Sequence, residues 1–67
     1  MKTKVKDIIN LLYKMTRISI EDDNYNELFN GKIYTSTGDY SRIKKFFEKE
    51  VNYFYAVAKD YILISIK

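Results

Sequence analysis

Apolar residues recur at Val5, Ile8, Ile9 and Leu12, the i, i+3, i+4, i+7 spacing that lines one face of a helix. Thr3 stands where an N-cap belongs, so the pattern predicts a first helix running to about Met15. Over residues 17–21 the period changes to two. Ile18 and Ile20 fall on one side and Ser19 on the other, the pattern of a half-buried strand. Glu21-Asp22-Asp23-Asn24 then reads as a polar turn. Glu27-Leu28-Phe29 leads into Asn30-Gly31, a dipeptide that favours the tight turns of β-hairpins, and Lys32-Ile33-Tyr34-Thr35 reads as the strand after it. Ser36-Thr37-Gly38-Asp39 breaks that strand.

Asp39 or Ser41 can cap a second, short helix to about Lys49, with Tyr40, Ile43, Phe46 and Phe47 on its apolar face. Residues 51–58 are rich in strand formers. Lys59-Asp60 provides a tight turn, and residues 61–67 form a last strand with Ile62, Ile64 and Ile66 on one side. The order α, β, β, β, α, β, β with short connections predicts an α+β fold. Its centre is a twisted antiparallel sheet of four to five strands with the N-terminal helix packed on one face.

Length makes this a single domain, residues 1–67, with a thin core: a chain of this size buries only about 60% of its unfolded surface. The chain has no cysteine and no histidine. Disulfides, thiolate chemistry, the usual neutral-pH general base and the commonest metal ligand are therefore missing from the inventory. No phosphate-binding glycine loop or metal-ligand spacing occurs either. The expectation is a protein that is not an enzyme and carries no cofactor. No apolar run approaches the roughly 20 residues that span a bilayer, and the early apolar run is broken by Lys6, Asp7 and Asn10, so a cytoplasmic protein without a membrane partner is expected.

Net charge is +3, but its distribution says more: the chain is basic, then acidic, then basic. Three constellations stand out. In the acidic segment Glu21, Asp22, Asp23, Tyr25 and Glu27 could present clustered carboxylates to an arginine-lined groove, whereas a plain solvated turn is the simpler reading. The spacing does not fit a calcium loop, which also needs a glycine. On the second helix Arg42, Lys44, Lys45 and Lys49 could contact phosphates, with Lys2, Lys4 and Lys6 joining them, or form the wet face of an amphipathic helix.

The third constellation is aromatic: seven tyrosines and four phenylalanines are more than a domain this small can hide. Tyr53 and Tyr55 alternate with Phe54, while Tyr61 and Leu63 alternate with isoleucines. Both faces of the last hairpin are therefore apolar. Either the helices cover opposite faces, or both sit on one and leave an aromatic patch for a partner or a second copy.

The segments Val5-Lys6-Asp7-Ile8-Ile9, Arg17-Ile18-Ser19-Ile20, Glu21-Asp22-Asp23, Leu28-Phe29-Asn30-Gly31 and Ile62-Leu63-Ile64-Ser65-Ile66 resemble a loose set of small phage and mobile-element proteins of low-GC Gram-positive bacteria. The likeness covers the two ends better than residues 32–50. The absence of proline and the abundance of Lys, Ile, Asn and Tyr agree with AT-rich coding. Small phage proteins of this kind are a recurrent source of host-defence inhibitors, including anti-CRISPR proteins. The resemblance implies that context and no residue roles; with the small size, the missing catalytic inventory, the acidic turn and the surplus tyrosines, it makes a steric inhibitor of a host nuclease or defence complex the leading expectation. Its protein-binding residues are expected to be Glu21, Asp22, Asp23, Tyr25, Glu27, Tyr53, Tyr55, Tyr61 and Leu63. The alternatives are a nucleic-acid-binding accessory protein using Arg42, Lys44, Lys45 and Lys49, and a homodimer joined through the 51–66 hairpin.

Overall fold

The computed structural model describes residues 2–12, 15–32 and 39–67. The elements are α1 (Val5–Ile9), β1 (Arg17–Glu21), β2 (Glu27–Lys32), α2 (Asp39–Lys44), β3 (Val51–Ala58) and β4 (Tyr61–Ile66). The fold is α+β, a four-stranded sheet with an N-terminal helix and a short second helix.

Alternation along the strands sorts the sheet into two faces. Ile18 and Ile20 of β1, Phe29 of β2, and Ile64 and Ile66 of β4 point to one side. There they join Val5, Ile8 and Ile9 of α1, together with Ile43 and Phe46, in a single buried cluster. Leu12, Phe47, Val51 and Ile62 close its margins. Both helices thus contribute to one face, which resolves the choice left open by the hairpin's two apolar sides.

The sheet order is β2-β1-β4-β3. The two hairpins are antiparallel, as short turns require. The central pair differs from the antiparallel expectation: β1 and β4 run parallel, Ile18 beside Ile62 and Ile20 beside Ile64. Some 40 residues, including β2, α2 and β3, separate these strands in the chain, well above the dozen or so that a parallel connection needs.

Three local expectations are corrected. Asn30-Gly31 is not a turn but lies within β2, opposite Ser19 and Ile18. The real turn comes earlier, where the Asp22 carboxylate accepts the backbone N–H groups of Asn24 and Asn26 and the Asn26 Nδ2 amide. This side-chain-made turn starts β2 at Glu27, and Gly31, buried opposite Ile18, adds no bulk under the helix layer. The expected strand over 32–35 lies outside the described residues beyond Lys32.

The first helix ends at Ile9 rather than near Met15, and Thr3 is not its cap. The Thr3 carbonyl accepts the Val51 N–H (2.8 Å), while the Lys4 N–H donates to the Asp7 carboxylate (2.9 Å). The second helix likewise stops at Lys44, well before Lys49. After Ile9 the N–H groups of Leu11 and Leu12 bond the carbonyls of Ile8 and Ile9, three residues back, so the chain leaves α1 in tight turns; the end of α2 is set from the other end of α1. A helix leaves its first N–H groups without partners of its own. In α1 those of Val5 and Lys6 bond the carbonyls of Lys49 and Phe47, so the chain after α2 is drawn into tight turns against α1.

Candidate functional site

The face of the sheet opposite the helices carries the candidate site. Cross-strand partners point to the same side, so the register lays this face out in three rows. Glu27, Glu21, Ser65 and Tyr53 form the first. Asn30, Ser19, Leu63 and Tyr55 form the second, and Lys32, Arg17, Tyr61 and Ala58 the third. No described element packs over them.

The relief of this face is uneven. Ser19 and Ser65 sit buried at its floor because taller neighbours stand around them. Along its β3 side, Tyr53 and Tyr55 rise as a stacked pair, 6.2 Å apart with planes 20° from parallel. Each remains about half exposed, at 43% and 51%. Tyr61 and Leu63 are half-buried beside them.

On the β2 side the face is polar and internally wired. Arg17 Nη1 donates to Asn30 Oδ1 at 2.6 Å. Asn30 Nδ2 donates to Glu27 Oε1 at 3.0 Å and reaches the Tyr61 hydroxyl at 3.4 Å. Ser19 Oγ donates to the same Glu27 oxygen at 3.2 Å. Asn30 is the hub of this network, a role its sequence context concealed. Strict alternation from Glu27 would have set Asn30 opposite Ile18; the register shift at Ile20/Glu21, which leaves Leu28 as an extra residue in β2, brings it beside Ser19 instead.

Of the nine residues expected to bind protein, Glu21, Glu27, Tyr53, Tyr55, Tyr61 and Leu63 share this one face. Asp22, Asp23 and Tyr25 lie in the β1–β2 turn at its acidic end. Asp22 serves that turn: hydrogen bonds from Asn26, first through its backbone N–H and then through its side chain, hold the carboxyl below the usual aspartate range. Tyr25 is the tip, 75% exposed and held at φ 65°, a left-handed conformation unusual for a bulky side chain.

The four cations of the second-helix region lie in the other layer of the molecule. The Arg42 guanidinium sits 5.4 Å from the Phe29 ring centre and Lys45 Nζ 5.5 Å from that of Phe46. Lys44 and Lys49 are exposed there as well. The tyrosine rows face the opposite way, so these cations and the tyrosines do not form a common surface. The N-terminal lysines are engaged with acids rather than gathered into a patch. Lys4 and Lys6 both grip Glu48, at 2.9 and 2.7 Å, and Lys2 and Lys67 flank Glu50, at 3.7 and 3.0 Å. Lys6 first and then Lys4 draw the Glu48 carboxyl down to about 2. The bond to Glu48 raises Lys6 in turn.

No family model matches the chain. No curated protein or solved structure is similar to it either. The functional reading therefore rests on the surface itself. Among the described residues no pocket opens and no three carboxylates come together as a metal site, while the open sheet face offers stacked aromatic rings, a shallow floor and a carboxylate pair at one end. Such a surface suits a broad, partly apolar partner with positive charge at one side.

Proposed function

We propose that this protein acts without catalysis, by docking the open face of its sheet onto a basic groove of another protein. The observation that carries the reading is the first row of that face. Glu27 and Glu21 stand side by side and run through Ser65 to Tyr53, so carboxylates and aromatic rings form one continuous strip. The acids would pair with arginines that otherwise hold nucleic-acid phosphates. The tyrosines would supply the large, rigid contacts that dominate binding energies at interfaces. A host defence nuclease is the proposed partner class, in keeping with the phage-protein resemblance, and occupation of its groove is the proposed mode of inhibition. The nucleic-acid alternative rests on Arg42, Lys44, Lys45 and Lys49 alone.

The test is direct binding of the purified protein to a panel of purified defence nucleases, with the guide or substrate nucleic acid as competitor. Glu21→Lys and Tyr53→Ala should each weaken binding by about 2 kcal/mol, roughly thirtyfold, if they stand at the centre of the interface. Binding that nucleic acid does not compete, or that both variants leave unchanged, would sink the proposal.

A further inference from the structure

Strand β3 is an edge, and between its two register shifts, at Val51/Tyr53 and Ala56/Ala58, it lacks the features that normally keep edges apart. Natural edge strands are short, carry lysine or proline, or are covered. From Val51 to Ala58 the sequence is Val-Asn-Tyr-Phe-Tyr-Ala-Val-Ala: eight residues, no charge and no proline, in a chain that is 31% charged. All but Val51 are exposed, on both sides of the sheet. Phe54 belongs to the helix side, opposite Ile64, yet is 54% exposed because neither helix extends over β3.

The register shows which backbone groups are on offer. The Lys67 N–H bonds the Glu50 carbonyl, so Lys67 turns its backbone toward β3. Alternation then turns Ser65 and Leu63 the same way, toward Tyr53 and Tyr55. Ile64 and Ile62 face β1 instead, which leaves the N–H and C=O groups of their partners Phe54 and Ala56 pointing outward. Lower down, the outer edge is already taken: Val51 and Lys49 bond Thr3 and Val5. The open stretch is therefore 53–57, centred on Tyr55 and bounded by the register shift that leaves Val57 without a partner on β4.

We propose that a second copy of this chain pairs antiparallel with that stretch about a two-fold axis at Tyr55, joining two sheets into one of eight strands. The sequence fits itself in this register. Phe54 meets Ala56 of the second copy, large against small on the helix side, and the exchange forms four N–H···O bonds. Tyr53 meets Val57 of the second copy on the open side, and Tyr55 meets its own counterpart. No like charges are opposed within this stretch, although each chain carries +3 overall.

The half-exposed rings of Tyr53, Phe54 and Tyr55 offer on the order of 300 Å² per copy. With Ala56, Val57 and the backbone, the pair reaches about 1,000 Å², the lower bound for a specific interface, so the dimer is expected to be micromolar. Pairing at this edge leaves Glu21, Glu27, Tyr61 and Leu63 uncovered and would place the two tyrosine stacks side by side. The proposal does not depend on what the sheet face binds.

Sedimentation equilibrium from about 10 to about 500 μM brackets that range. The wild type should pass from monomer to dimer across it. Ala56→Lys and Ala56→Pro should each weaken association at least about tenfold while the monomer melts normally, because an outward-facing N–H is not part of the β3–β4 ladder. Amide exchange followed by NMR should slow with concentration at Phe54 and Ala56, while Tyr53 and Tyr55 stay protected throughout. A wild type that remains monomeric at the highest concentration overturns the proposal. So does a dimer that survives both Ala56 variants but is lost in Leu63→Ser, which would place the contact on the sheet face.

Discussion

Replacing Tyr25 by glycine should stabilise the fold while removing a contact from the proposed binding surface. Tyr25 sits at φ 65° at the tip of the β1–β2 turn. Its N–H bonds the Asp22 carbonyl, and the Asn26 carbonyl accepts the Asp22 N–H, so the surrounding turn imposes the conformation. A left-handed backbone costs an L-residue about 1–2 kcal/mol. The ring recovers little of that, being 75% exposed. Glycine removes the strain but adds roughly 0.5–1 kcal/mol of unfolded-state entropy, leaving a net gain of about 0.5–1 kcal/mol. Asparagine, which tolerates this region, avoids most of the entropy term and should gain at least as much.

For a domain of this size 1 kcal/mol moves the melting temperature by about 4–8 °C, well within reach of circular dichroism. Both variants should melt a few degrees higher, and both should bind the partner less well. Strain retained at an exposed tip is a feature of functional sites, and a simultaneous gain in stability and loss of binding would mark Tyr25 as one. The reasoning fails if both variants melt below the wild type, because the turn would then depend on the tyrosine rather than tolerate it.

Two further outcomes follow from the core and the ion pairs. Ile20→Ala, at a fully buried position, should cost about 2–5 kcal/mol. That is half or more of the roughly 3–10 kcal/mol expected for a chain this long. Ile62→Ala, at a half-buried margin, should cost clearly less; equal urea midpoints for the two would contradict the packing. Glu48 is lowered from 4.5 to about 2 by Lys6 and Lys4, so its contribution is complete above about pH 4.5 and fades as the pH falls toward 2. Glu48→Gln should therefore lower stability at neutral pH and flatten the acid limb between those values in a pH series of thermal melts. An unchanged acid limb would show that the pairing does not persist in solution.

Strands β1 and β4 were legible in the sequence because a period of two is a local property of the chain, and β3 because its residues are strand formers. So were the Lys59-Asp60 turn, where Asp60 takes φ 61°, and the division of Ile18, Ile20, Ile64 and Ile66 from their polar neighbours. The α+β class followed from element order. Six of the nine residues expected at a binding surface share one face: alternation had set Tyr53, Tyr55, Tyr61 and Leu63 apart from their neighbours, whereas pairing across the β1–β2 register shift brought Glu21 and Glu27 to join them.

What the chain could not reveal locally were decisions between distant segments. Asn30-Gly31 satisfies the local rule for a turn, yet the Asp22 carboxylate closes an earlier one, and pairing with β1 claims the dipeptide for a strand. The helical periods of both helices continue past their real ends. The second gives way to the turns whose carbonyls accept the N–H groups that open α1, and the first passes into i→i−3 turns after Ile9. The parallel placement of β4 beside β1, and the gathering of both helices on one face, depend on burying one shared set of isoleucines, a requirement of the whole domain that no single stretch records. That choice alone left the tyrosine rows open and β3 at an unguarded edge.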